Sequence, residues 1–117
     1  MSLIGKKDRV YNLHQRLRDS DSKRLSKLTQ LEVNELINTY EDLMFDFFID
    51  AHEHGLDYVG LGRIGKVKVV IRPPSKYFDV HKKKEGLSGH TPLYYFKPSE
   101  KLREEGKAVA RKRIENQ

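Results

Sequence analysis

Seven basic side chains fall in one short stretch of this 117-residue chain: Lys66, Lys68, Arg72, Lys76, Lys82, Lys83 and Lys84. Each can neutralise a phosphate, and such contacts release counterions and give affinity with little sequence preference. Lys66, Val67, Lys68 and Val69 alternate polar and apolar, the period of a strand with one face buried and one wet, so the wet face is basic. Pro73, Pro74, Tyr77 and Phe78 lie in the same stretch as compact or flat apolar groups that could act as wedges at a base step. The prolines suit a rigid turn or a blunted sheet edge equally well, and Tyr77 and Phe78 suit a core.

Catalytic constellations are sparse. His52 and His54 are two residues apart on a helical pattern and point to different faces, unlike the i, i+4 histidine pair of a zinc protease. Gly60-Leu61-Gly62 followed by Gly65 lacks the spacing of a dinucleotide cradle, and no helix follows it. Gly86-Leu87-Ser88-Gly89 is an incomplete nucleophile elbow. There is no cysteine, which removes thiol catalysis, thiolate zinc sites and disulfides and favours a reducing compartment. The expectation is a protein that is not an enzyme and takes no metal, cofactor or small-molecule substrate.

The elements that must position the basic stretch can be read in order. Lys6 to Arg18 forms a helix with one apolar stripe of Val10, Leu13 and Leu17. Asp19-Ser20-Asp21-Ser22 competes for backbone hydrogen bonds, so it breaks that helix or caps a second short one through Leu25. Thr29 and Glu32 have the spacing of a capping box, and Gly55 is a C′ residue, so the main helix lies between them. Val33, Leu36, Ile37, Tyr40, Leu43, Met44, Phe47, Phe48 and Ala51 keep a three-and-four rhythm along it and predict a wide buried face. Phe45 and Ile49 fall off that stripe. They either meet a second copy of the chain or pack on its own first helix.

Asp57 to Arg72 then reads as a strand, with Gly60, Gly62 and Gly65 as points of bend, bulge or close approach. Pro73-Pro74 ends it, Lys76 to His81 can be extended again, and Lys82 to Gly89 reads as a loop or turn. Leu93 to Phe96 is a short apolar strand, and Ser99 is the N-cap of a last helix anchored by Leu102 and Val109, its tail fraying from Ala110.

Apolar residues make up 37% and charged residues 34%, so the core is thin for one domain of this size and a shared core in a homodimer would mend it. No apolar run approaches a membrane span, and the N-terminus lacks the apolar centre of a signal peptide, so a cytoplasmic place is expected and no membrane. The net charge of +6 is segregated: residues 28–57 carry eight acids and no Lys or Arg, whereas 58–96 carry eight Lys or Arg against Asp79 and Glu85. That implies an acidic side and a basic side, the second suited to a polyanion.

In this order of parts the chain resembles the bacterial histone-like HU and integration host factor family. The resemblance rests on the helix ending at Gly55, then Gly60-Leu61-Gly62-Arg63-Ile64, then the basic segment, then Phe96-Lys97-Pro98-Ser99 leading into the last helix. Leu61 and Ile64 stand where the family usually has phenylalanines, and Arg72-Pro73-Pro74 is the nearest match to its Arg-Asn-Pro arm tip. The arm would turn near Pro74, or near Phe78 with another wedge.

The resemblance implies an α+β fold: a helical dimerisation base (1–57), a β-sheet extending into a two-stranded basic ribbon arm (58–96), and a C-terminal helix with a frayed tail (97–117). It implies double-stranded DNA and a second copy as partners, weak sequence preference, DNA bending and a nucleoid-associated role. The DNA contacts would be Arg63, Lys66, Lys68, Arg72, Pro73, Pro74, Lys76, Lys82, Lys83, Lys84 and Lys97. The dimer core would take Leu36, Tyr40, Met44, Phe45, Phe47, Phe48, Leu61, Ile64 and Phe96. An HU-like fold kept as a protein-assembly module is the alternative from another class, and RNA binding through the ribbon with Tyr77 or Tyr94 is a third.

Overall fold

The computed structural model describes residues 3–79, 81, 83–87 and 89–116. Lys82 and the side chains of Tyr77 and Phe78, given roles above, lie outside the described residues. The chain divides into two compact units, 1–46 and 47–117, with the boundary inside the main helix.

The first unit holds α1 (Lys6–Arg18), a single 3₁₀ turn (Leu25–Lys27) and the start of α2 (Gln30–His54). Helix α1 opens with the Gly5 N–H donating to Asp8 Oδ2 at 3.0 Å. It stops where the Ser20 hydroxyl turns back to the Leu17 carbonyl, as the polar run Asp19 to Ser22 predicts. Val10 and Val33 are the buried core of this unit, with Val33 fully enclosed. Two polar pins join its helices, Arg9 pairing with Glu41 at 2.7 Å and Lys6 bonding Asn38, and the His14 Nε2–H donates to the carbonyl of Leu28, in the connection before α2, at 2.9 Å.

The capping box at the start of α2 is present in both halves. The Glu32 N–H donates to Thr29 Oγ1 at 3.1 Å and the Thr29 N–H donates to Glu32 Oε1 at 3.0 Å. Hydrogen bonding to the Glu32 carboxyl, from the Thr29 backbone N–H first and from the Thr29 hydroxyl second, holds it below its ordinary pKa. At the other end Gly55 has φ +65°, and the Leu56 N–H reaches back to the Ala51 carbonyl at 2.9 Å, closing the helix with a left-handed residue.

The second unit builds a three-stranded antiparallel sheet in the order β1-β2-β5, from β1 (Tyr58–Gly60), β2 (Gly65–Arg72) and β5 (Thr91–Pro98). A two-stranded ribbon of β3 (Lys76–Asp79) and β4 (Lys84–Leu87) lies between β2 and β5 in sequence, and α3 (Glu100–Glu115) follows. The core of this unit is Ala51, Val59, Val67 and Val69.

Several expectations are corrected. Asp57 to Arg72 is not one strand: Gly62, at φ +72°, opens a 3₁₀ turn (Gly62–Ile64), so β1 and β2 form a hairpin pairing Tyr58 with Lys68. Lys82 to Gly89 is not a loop throughout, because β4 pairs with β3. The last strand starts at Thr91 rather than Leu93, since pairing with all of β2 extends it. The tail does not fray at Ala110: α3 runs to Glu115, with helix-forming Ala108 and Ala110 and the basic Lys112 and Arg113 complementing its C-terminal dipole.

The face predicted as buried along α2 is closed only at Val33 and Ala51. Within this chain Leu36, Tyr40, Leu43 and Phe47 are exposed. No helix among the described residues is long and apolar enough to cross a membrane.

Gly65 is the tightest point of the sheet. Its φ is +144°, and a Cβ there would lie 2.2 Å from the Lys97 carbonyl oxygen and 2.9 Å from Pro98 Cα. We therefore expect Gly65→Ala to cost several kcal/mol by strain and backbone displacement together, read as a lowered urea midpoint. Thr29→Ala should cost about 1 kcal/mol. It should also raise the Glu32 pKa towards its ordinary value in an NMR titration. Because folding depresses that pKa, the stabilisation by Glu32 is present above the ordinary carboxylate range and fades as the pH falls through it.

Candidate nucleic-acid interface

Paired residues in an antiparallel ladder share a face, so the sheet register sorts the side chains of the second unit. On one face lie Val59, Val67 and Phe96 in one row, and Val69 and Tyr94 in the next. This face meets the end of α2. The ring of Tyr94 packs edge-on against Phe48, with centroids 5.6 Å apart, and against His52 at 5.3 Å, while its hydroxyl and His52 Nε2 share a hydrogen bond of 2.9 Å. His52 is thus a structural contact, and Tyr94 is turned to the core side rather than towards the basic residues.

On the other face the rows are Gly60, Lys66 and Lys97; Tyr58, Lys68 and Tyr95; Val70 and Leu93; Arg72 and Thr91. Alternation thus gathers Lys66, Lys68, Arg72 and Lys97 on one surface, as the pattern predicts for Lys66 and Lys68. Lys66 and Lys68 stand about 7 Å apart along the strand, roughly twice the rise per nucleotide of one DNA strand. Tyr58 and Tyr95 flank Lys68 on the two neighbouring strands, and the Lys66 ammonium sits 4.3 Å from the Tyr58 ring centroid. That cation–π contact holds a flexible cation in place while leaving it open to a ligand. Among the described residues, Lys66, Lys68, Arg72 and Lys97 have no carboxylate partner.

Arg63 is exposed in the 3₁₀ turn between β1 and β2. Lys76 begins β3 and Lys84 begins β4, both exposed, and Lys83 sits in the turn between those strands at φ +50°. The prolines are not at the turn of the arm. The chain reverses between Asp79 and Lys84, and Pro73 and Pro74 lie between β2 and β3. Of the two places expected for the turn, the chain therefore takes the one near Phe78 and not the one near Pro74, and the proline-rich segment lies between the two ladders.

Tyr58 and Tyr95 were not among the sequence-assigned site residues. Their signal was parity: Tyr95 is two residues from Lys97 and Tyr58 pairs across from Lys68, which only the register reveals. Among the described residues, Asp50, Glu53 and His54 bring ligand atoms within 4.8 Å of one another, but all three are exposed on one helical turn, where such groups ordinarily solvate a surface.

No family model and no curated protein matches the chain by sequence. By structure it is similar to HU of Anabaena in a cocrystal structure of HU with DNA, with a TM-score of 0.52 and 14% identity over 82% of this chain and 94% of that one. The chain therefore has an HU-like α+β fold of three helices and an antiparallel sheet.

Proposed function

We propose that this protein is an architectural DNA-binding protein: a homodimer that binds duplex DNA with weak sequence preference and bends or compacts it through basic β-ribbon arms. The observation that carries this reading is the sheet face bearing Lys66, Lys68, Arg72 and Lys97, which have no carboxylate partner among the described residues, continued by Lys76, Lys83 and Lys84 on the ribbon. Phosphate neutralisation needs such a row of cations, and sequence-independent binding needs little else. The HU of the similar structure is bound to DNA. A nucleoid-associated place in the cell and the lack of a catalytic role belong to the same proposal.

The homodimer rests on exposed apolar surface. In the first unit Phe45 is 67% exposed, with Tyr40 and Leu36 also more than half exposed. In the second unit Phe47, Ile64 and Phe96 are exposed in the same way, while Met44 in the first unit and Phe48 and Leu61 in the second are half-buried. At about 25 cal/mol per Å² and roughly 150 Å² or more per aromatic, burying one phenylalanine yields several kcal/mol. A second copy supplies that burial. Phe45→Asp would place an unpaired charge in the shared core and convert the dimer to a monomer or an unfolded chain. Light scattering reads the mass, and a folded dimer of the variant would refute the shared core.

The acidic run on α2, with no Lys or Arg from 28 to 57, favours a second reading in which the HU-like fold serves protein assembly. Fluorescence anisotropy with duplex DNA across a salt series separates the two. The DNA reading expects affinity to fall steeply with salt, with a log–log slope of about −0.9 per phosphate contacted. Absent or salt-independent binding at low ionic strength would favour the assembly reading. Competition with single-stranded RNA tests the remaining nucleic-acid alternative, and RNA displacing duplex DNA would favour it.

A further inference from the structure

The second unit holds two ladders, that of the three-stranded sheet and that of the two-stranded ribbon, with a gap between them. β2 and β5 end their ladder at the pair Arg72–Thr91, and β3 and β4 resume at Lys76–Leu87. Three residues intervene on each strand, 73–75 and 88–90, so the second ladder keeps the register of the first. The interruption has a local cause: Pro73 and Pro74 offer no backbone N–H and cannot donate across the ribbon. By the shared register Pro74 lies opposite Gly89 and Pro73 opposite His90. Gly89 has no side chain to cover the proline ring across from it, and the space around its Cα is open. Pro73 is exposed and Pro74 half-buried. Compact apolar rings are thus presented partway along a basic ribbon, which continues beyond them through the four pairs of β3 and β4, about 13 Å at the ordinary rise of a strand.

Resting on the DNA-binding reading above, we propose that the arm works in two parts. The wedge that opens a base step is Pro73-Pro74 partway along it, and the distal hairpin Lys76–Leu87 is a separate phosphate clamp that engages the backbone beyond the wedged step. The clamp residues are Lys76, Lys83 and Lys84, all exposed. An arm that ended at its wedge would hold DNA only on the near side of the bend. This arm holds it on both sides, so bending and affinity reside in different segments.

Two variants of the full-length protein separate those segments. In the first, residues 76–87 are replaced by Asn-Gly, a two-residue turn that preserves the pairing register of the remaining ribbon. In the second, Pro73→Ala and Pro74→Ala are combined and the whole arm is kept. Bending of an end-labelled duplex is read by fluorescence resonance energy transfer at saturating protein, and affinity by anisotropy across a salt series.

The shortened arm should still bend DNA, with affinity about tenfold or more weaker and a salt slope flatter by about two units or more. The double-alanine protein should keep the salt slope and lose most of the bend. A shortened arm that binds without bending, or a double-alanine protein that bends like the parent, would overturn the proposal and move the wedge to the tip. Failure of the parent to bind duplex DNA at low salt would instead overturn the DNA reading, and this inference with it.

Discussion

The register of the β2–β5 ladder is the constraint on which the rest depends. Side chains alternate between faces with a period of two, so a slip of one residue would send Val67 and Val69 into water and Lys66 and Lys68 into the core. Burying two lysines without partners would cost far more than two valines return, and the register is fixed accordingly. Gly65 locks its near end. There the backbone of β2 runs so close to Lys97 and Pro98 that only a residue without Cβ fits, and the Ile64 carbonyl accepts the Ser99 N–H at 2.9 Å, tying the hairpin to the start of α3. The same ladder that makes the core therefore makes the basic face.

The sparse core has the same origin as the apolar surface. Only six apolar side chains are buried among the described residues, five of them valines, while Tyr40, Phe45 and Phe47 of α2 and Tyr94, Tyr95 and Phe96 of β5 stay open. A chain that spends its aromatics this way gains little stability alone, because small domains bury a small share of their surface. In the single chain most of the apolar surface of α2 and β5 stays in water. Phe45 shows why the self-packing alternative fails: α1 lies in the same unit, and the ring is still two-thirds exposed.

Much of the fold was legible in the sequence because its signals are local. Thr29 with Glu32, Gly55 and Ser99 each satisfy or release backbone groups within one helical turn, and all three ends fall where those residues place them. The alternation from Lys66 to Val69 is equally local. What was hidden depends on partners distant in sequence. Asp57 to Arg72 reads as one strand because nothing within it reveals that Tyr58 will pair with Lys68. β4, with Glu85 and Gly86, has poor strand propensity and forms by pairing with β3. Tyr58 and Tyr95 join the basic face only through that same long-range register, and the place of Pro73 and Pro74 in the arm follows from two ladders that share it.

The central claim is that one face of the sheet belongs to DNA and the other to the protein core. The most direct measurement is a titration of isotope-labelled protein with a short duplex, following backbone amide shifts by NMR. The account predicts that the amides of Tyr58, Lys66, Lys68, Arg72, Tyr95 and Lys97 move together and saturably, while Val33 and the helix around Glu35 stay still. Perturbations centred on the acidic residues of α2, or none on the strands, would contradict it.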